Sequence, residues 1–382
     1  MSNTKSTDAK AARVAVSLAA IDQYIEQNIV LPTETVLHGK DRVQWGTGDR
    51  YPDYLLDLYD TTPTLASIID GTVDFIAGDD LAFTPAADGV RAETVNVSGE
   101  TPRQAVREMA HSLELDGGIA VQVIRNRMGQ VAEIYPLDLR FVRTNKENTV
   151  FYYCENWQKR GSKVVVYPKF LPITPEEWAR LDEDGRNAHA SSIYFYKAIN
   201  TRTYPSPSWR AAVKDCEIER NTTDFHLNSL ENGFVPSAIV NFNNGQPDDQ
   251  MKEEIEREFT EKFSGYQNAG RIIFSWNKNK ESATTFDIPK TEDFGERYKA
   301  LSTHARQQIF ASFRAVPALF GIMTESTGFN EQEFSQAFRL YNRTHVRPAQ
   351  RVICDIFDRI YGRTGVLTIT PFTLEGADTQ VN

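Results

Sequence analysis

"SWRAAVKDCEIERNTTDFHLNSLENG", residues 208–233, reads as one long helix with little to bury. Its apolar positions Val213, Cys216, Leu227 and Leu230 are separated by the polar run "ERNTT". About 24 residues of helix extend roughly 36 Å. A helix that long and so sparsely apolar is not an internal core helix; it needs a partner surface or exposure on several sides. Pro205 and Pro207 stand before it and Gly233 closes it, so a new regime of the chain begins here.

Downstream, the pattern is that of a small β-α-β-β unit. "SAIVNF" (237–242) reads as a strand, and Met251, Ile255, Phe259 and Phe263 mark one stripe of a highly charged helix ended by Gly265. "RIIFSW" (271–276) and "TTFDI" (284–288) supply two more strands. A second long helix follows. Glu292 and Asp293 suit the positive end of its dipole, and Phe294, Tyr298, Leu301, Ala305, Ile309 and Phe313 form its stripe up to Pro317. The small domain thus hangs between two helices able to lie antiparallel, like a bead on a hairpin.

Next comes a loop with too much apolar surface. Val316, Leu319, Phe320, Ile322 and Met323 crowd "FRAVPALFGIMTESTGFNEQ" (313–332), where Pro317 and Gly321 break helix. Loops normally run over the surface, where such side chains gain nothing. Either Leu319, Phe320 and Ile322 plug the subunit's own core, or the loop touches something outside it. Asn330 then caps a helix of about 30 residues with Glu333 at the capping-box position. Pro348 inside it predicts a kink. "GVLTIT" (365–370) is a final strand.

Upstream, residues 1–205 read as one α+β lobe. Thr62-Pro63 opens a helix with Leu65, Ile68, Ile69, Val73 and Ile76 on one face, stopped by Gly78. Thr101 with Gln104, and Thr174 with Glu177, are capping boxes followed by proline. "IAVQVI", "VAEIY", "VFYYC", "VVVYPKF" and "IYFYK" are strand-like runs. Near the start, Val14, Leu18, Ile21 and Ile25 predict an amphipathic helix rather than a signal peptide, and a chain that is cytoplasmic at synthesis.

Composition narrows the function classes. The 382 residues carry 42 Lys and Arg against 52 Asp and Glu, a net charge of −10. Proteins that grip nucleic acid by neutralising phosphates are usually basic, so contact with DNA should be loose. No apolar run approaches the length needed to span a bilayer. Cys154, Cys216 and Cys354 have no metal or CxxC spacing and read as free thiols.

Motifs of catalysis are missing: there is no GxxxxGK[ST], GxSxG, HExxH or GxGxxG. His111, Glu114 and Asp116 could be imagined as a metal cluster, but a helical histidine beside surface acids is expected to be solvated. Asp57, Asp60, Asp70 and Asp74 have no basic partner motif. No catalytic residue, metal or cofactor is expected, and the chain does not read as an enzyme. Arg339, Arg343, Arg347 and Arg351 repeat every four residues on the last helix and so begin on one face. They read as a solvated stripe, a row facing carboxylates of another subunit, or a contact to DNA phosphate.

The run 225–274 carries a resemblance. It is similar to the portal proteins of tailed phages, the rings joining capsid and tail. The family's Asn-Gly-x-x-Pro-Ser turn into a strand is matched by Asn232, Gly233, Pro236 and Ser237. Its Asn-Ala-Gly-Arg before a strand stands at 268–271. Ile309, Phe313, Val316 and Pro317 match a third signature, and Asn330 with Gln332 match a helix start whose acidic residue is displaced to Glu331. A Gly-hydrophobic strand at 117–124 and Pro-Leu-Asp at 136–138 precede these. The order of the motifs, over roughly residues 50–361, is more specific than any one of them.

The resemblance implies an α+β portal fold. An α/β wing would comprise 1–205 and 331–382, with a two-helix stem at 206–232 and 291–314 and a β-α-β-β clip at 233–290. Residues 315–330 would be the tunnel loop leading into a kinked helix, and no long C-terminal helical crown is expected. It further implies a ring of twelve subunits at the capsid vertex, conducting double-stranded DNA without sequence specificity during packaging and ejection. Its partners would be the large terminase, the major capsid protein and head-completion or tail-adaptor proteins, in the virion after assembly in the host cytoplasm. Val316, Leu319, Phe320, Ile322, Met323, Thr324 and Glu325 would line the DNA channel. The arginine row would bridge subunits, and Lys252, Glu253, Glu256 and Arg257 of the clip would dock terminase. The rival readings are another head–tail adaptor, or a metal-dependent hydrolase of a mobile element.

Overall fold

The computed structural model describes residues 29–37, 41–85, 92–232, 238–242, 250, 272–276, 292–321 and 331–373. The chain divides into two compact units, 1–211 with 310–382, and 212–309. Along the first run β1 (Glu34–Val36), β2 (Val43–Trp45), α1 (Tyr51–Thr61), α2 (Pro63–Ala77) and β3 (Asp80–Phe83). Helix α3 (Pro102–Asp116) leads into β4 (Gly118–Arg125), β5 (Val131–Leu137), β6 (Val142–Thr144), β7 (Val150–Tyr153) and β8 (Val165–Pro168). Short helices α4 (Pro175–Arg180) and α5 (Glu183–His189) precede β9 (Ser191–Lys197). The second unit holds α6 (Val213–Asn232), β10 (Ala238–Phe242), β11 (Ile272–Trp276) and most of α7 (Glu292–Phe313). Helix α8 (Glu331–Tyr341), a π-helical segment (Asn342–Val346), α9 (Arg347–Tyr361) and β12 (Leu367–Thr370) complete the first unit.

The first unit is mixed α and β with its apolar residues well covered. Leu65, Ile68, Ile69 and Ile76 of α2 are fully buried, as are Ala105, Val106, Met109 and Ala110 of α3. Helix α3 begins where its capping box predicts, with Thr101 and Gln104 each accepting from the other's backbone N–H. It ends at Gly117 in the left-handed conformation, φ 78°, where an added Cβ would also collide with the Ser206 carbonyl. Strand β4 then sits at the centre of an antiparallel sheet of order β5-β4-β9. A second antiparallel sheet has the order β6-β7-β8, and β12 pairs antiparallel with β3. The C-terminal segment is thereby tied to the N-terminal one.

A charged knot pins the edge of this unit. Arg143 is fully buried and donates from Nε to Asp49 Oδ1 at 2.6 Å, while Arg42 reaches Asp49 Oδ2 at 2.6 Å. Arg143 also donates to the carbonyls of Asp49, Leu139, Arg140 and Val142. Both guanidinium groups lie over the Trp157 ring. A buried charge pair survives only with this kind of full hydrogen bonding.

In the second unit, the long helix begins later than its sequence pattern predicts: Arg210–Ala212 form a 3-10 turn and the α-helix starts at Val213. Its polar run is not a solvated strip. Glu217, Glu219 and Thr222 are buried alongside Cys216. Thr222 and Thr223 donate their hydroxyls to the Ile218 and Glu219 carbonyls at 2.7 and 3.0 Å, and Asn221 Nδ2 donates to the Glu217 carbonyl at 2.7 Å. Asn221, Thr222 and Thr223 thus bond to their own helix, whereas Glu219 faces Arg306 of α7 at 3.7 Å. Strands β10 and β11 pair in parallel, Ala238 opposite Ile272.

Several expectations lie outside the described residues: the helix marked by Val14 to Ile25, the 233–237 turn, the clip helix of Met251 to Phe263, the "TTFDI" strand and the loop 322–330. Among the described residues, no helix is long and apolar enough to cross a membrane. The three cysteines are free, and burial pushes the Cys354 thiol up to about 11.

Candidate functional site

The connection after α7 is built as an anchor followed by a release. Phe310 and Phe313 are buried at the helix end, and Arg314 turns the backbone with φ 54°. Pro317 then starts a 3-10 turn, Pro317–Phe320, closed by Gly321 in the left-handed conformation. Leu319 is buried, and the Phe320 ring sits 6.2 Å from Phe75, 6.1 Å from Phe310 and 5.8 Å from Tyr341. Gly71 makes room for it, since a Cβ there would come within 2.8 Å of the ring. Leu319 and Phe320 therefore plug the subunit's own core. Val316 is 38% exposed, whereas Ile322, Met323, Thr324 and Glu325 lie outside the described residues.

The helix that follows is interrupted just before its proline. Pro348 has no N–H for the Thr344 carbonyl, and the five residues Asn342–Val346 widen into a π segment just before it. Sequence alone predicts the kink but not this extra residue in the turn. Arg339, Arg343, Arg347 and Arg351 are all exposed along α8, the π segment and α9. On the opposite, buried side lie Phe338, Tyr341, Val346, Ile353, Ile356, Phe357 and Ile360.

Within the π segment, His345 stacks on Tyr341 with ring centres 5.1 Å apart. Its Nε2 lies 3.0 and 2.9 Å from the two carboxylate oxygens of Glu114, which is buried on α3. Burial works to lower the His345 pKa, but the hydrogen bond and charge of Glu114 outweigh it and raise the pKa above its ordinary value; Arg314 opposes them. The Glu114 carbonyl accepts from Trp209 Nε1 at 3.1 Å, and Trp209 stacks on Phe313. Glu114 thus links α3 to Trp209, just before α6, and to the π segment.

The imagined trio of His111, Glu114 and Asp116 is not assembled. Glu114 faces His345, and His111 packs edge-on against Tyr59. Nor are Glu114 and Asp116 surface acids: each is 4% exposed, because the C-terminal turn of α3 is buried. Burial lowers the His111 pKa and lifts that of Asp116 well above the carboxylate range. Among the described residues, no group of three or more His, Cys, Asp or Glu could hold a metal ion. Lys252, Glu253, Glu256 and Arg257 lie outside the described residues. No sequence signal announced the Glu114–His345 pair, whose members are 231 residues apart.

The fold is thus an α+β lobe closed by its own C-terminal strand and interrupted by a helix-bounded insertion. Residues 97–369 match the family model described as "Phage portal protein", and the chain belongs to that family, a structural and non-enzymatic one. A probable portal protein of Haemophilus phage HP1 is 20% identical over 259 residues, covering 67% of this chain and 69% of that one. Uncharacterized proteins of Rickettsia felis and Rickettsia bellii are 31% and 25% identical over 57% and 44% of this chain. The matched segments span only 64% and 43% of those two relatives. Among solved structures, the neck of a native gene transfer agent particle, computed with C12 symmetry, aligns with TM-score 0.51 and 16% identity over 84% of each chain. The neck of the empty particle, computed with C6 symmetry, gives 0.50 over 85% of each. These likenesses bear on fold alone.

Proposed function

We propose that this chain is the subunit of a portal ring at a capsid vertex, a conduit for packaging and ejecting double-stranded DNA. The observation that carries the reading is the family match, which runs from 97 to 369 through both long helices and back to the wing. Twelve subunits accord with the C12 symmetry of the neck whose fold this chain shares. A net charge of −10 suits a passage that must not hold phosphates.

In this reading, α6 and α7 are the stem, the unit around β10 and β11 is the clip, and residues 315–330 are the tunnel loop. Leu319 and Phe320 root that loop, leaving Val316, Ile322, Met323, Thr324 and Glu325 for the channel. Apolar side chains there offer phosphates no strong hydrogen bond to break, and Glu325 keeps the backbone at a distance. Lys252, Glu253, Glu256 and Arg257 are assigned to terminase docking. The major capsid protein and a head-completion or tail adaptor complete the proposed partners, with assembly in the host cytoplasm before incorporation in the virion. Negative-stain imaging and mass photometry at micromolar concentration, with and without capsid protein, test the proposal. Rings with a central hole are expected; a chain monomeric under every condition overturns it.

A further inference from the structure

Two features of the first unit stand open within one subunit. The first comprises Arg343, Arg347 and Arg351 of the arginine row. Arg343, Arg347 and Arg351 are exposed, and among the described residues none makes an ion pair. The second is a cleft of about 430 Å³ lined by parts of α2, α3 and β5. Asp70, Glu108, Asp116 and Asp138 line it, together with Arg107 and Arg140. Both arginines are already compensated: Arg107 pairs with Asp74, and Arg140 with Asp138, each at 2.6 Å.

That leaves Asp70, Glu108 and Asp116 without an ion pair among the described residues, although Arg140 lies near enough to act on the Asp116 pKa. Asp70 accepts only the Tyr59 hydroxyl at 2.5 Å. Asp116 is the telling group. It is 4% exposed, it lines the cleft, and its Oδ1 has no hydrogen-bond partner. Buried polar atoms are almost always satisfied, so an orphaned carboxylate oxygen on a cleft wall points to a donor that arrives from outside. The rest of the wall includes Leu56, Val73, Met109 and Leu115, which suits an apolar stem carrying a charged head. An arginine side chain has that form, and its fork supplies several donors at once.

A closed ring needs heterologous contacts, in which one patch of each copy meets a different patch of the next. We propose that the acid-lined cleft beside Asp116 receives Arg343 or Arg347 from the kinked helix of the adjacent copy. This rests on the ring reading and adds the identity of the two patches. Burial raises the Asp116 pKa well above the ordinary carboxylate value, and a seated guanidinium would favour its charged form. Sub-unit docking would thereby complete a hydrogen-bond set left open in the isolated chain.

Charge exchange tests the pairing. The full chain carrying Arg343→Asp and Arg347→Asp, and the full chain carrying Asp70→Lys and Glu108→Lys, should each need about tenfold higher concentration than wild type to form rings at low salt. An equimolar mixture of the two should recover assembly, because every interface in an alternating ring then pairs opposite charges. The four-fold variant should recover too. Asp116→Asn, which keeps the shape, should weaken assembly even if the lysine variant fails to fold by circular dichroism. Rings that form as readily in both reversed variants, or mixtures that do not recover, overturn the proposal. So does spermidine binding, by calorimetry, that Asp116→Asn abolishes while assembly is unchanged; the cleft is then a small-cation site. Wild-type chains that never form rings overturn the ring reading itself, a distinguishable failure.

Discussion

Helices α2, of 15 residues, and α6, of 20, meet opposite fates. Helix α2 covers Leu65, Ile68, Ile69 and Ile76 completely inside its unit. Helix α6 buries Glu217, Glu219 and Thr222 instead, and leaves Leu227 55% exposed. The first is finished by its own subunit. The second bonds Asn221, Thr222 and Thr223 to its own turns and leaves apolar surface open. Burial alone does not mark a core; what is buried does.

The sharpest way to break this contrast is to weaken each helix in turn. Ile68→Ala should cost about 4 kcal/mol, since truncation leaves a cavity the packed unit cannot close. Glu219→Gln on α6 should cost less than about 1 kcal/mol, because Arg306 stands 3.7 Å away from it and is mostly exposed. Urea denaturation of the full chain measures both. Equal losses would erase the distinction between the two helices.

The same contrast recurs within the apolar connection. Phe320→Ala should cost about 2 kcal/mol through its lost contacts with Phe75, Phe310 and Tyr341. Replacing Ile322, Met323 and Glu325 by glycine should cost less than about 1 kcal/mol and leave rings intact while altering DNA packaging or retention. If the triple glycine variant unfolds like the Phe320 variant, the whole stretch is a core plug.

A smaller effect should follow pH. The His345 pKa is raised in the folded chain by Glu114, so the pair's stabilisation is fully present below the ordinary histidine value of 6.5. It is lost as pH rises through the raised value. The thermal midpoint, scanned from about pH 5.5 to about pH 8.5, should fall in wild type relative to Glu114→Gln, which lacks the term. Parallel curves would mean that the pair does not titrate with folding.

Local chemistry was readable; distant pairing was not. Thr101 with Gln104 and Thr174 with Glu177 announce helix starts because capping is decided within four residues. The runs at β4, β5, β7, β8, β9 and β12 are strand-like because their residues suit a pleated, half-buried surface. Strands β1 and β2, three residues each, are too short to show a period. Asp49 and Arg143 lie 94 residues apart, and nothing in either neighbourhood announces that both are buried together. His111, Glu114 and Asp116 misled for the same reason: helical spacing shows a face, not what covers it. At the site, the arginine row was legible as a repeat, whereas the cleft with its orphaned Asp116 oxygen exists only once α2, α3 and β5 converge.

The π segment fixes the arithmetic of the chain around it. Its wider turn takes up one residue, so removing one between Asn342 and Val346 would restore regular helix and leave the faces on either side in phase. Removing one just beyond the segment would instead turn the rest of the helix by about 100°. Ile353, Ile356, Phe357 and Ile360 would then swing out of the core. Nor could the far end follow, because β12 is locked to β3 with Leu367 opposite Phe83. In this stretch exposed side chains are open to exchange throughout, but residue number is open to change only within the π segment.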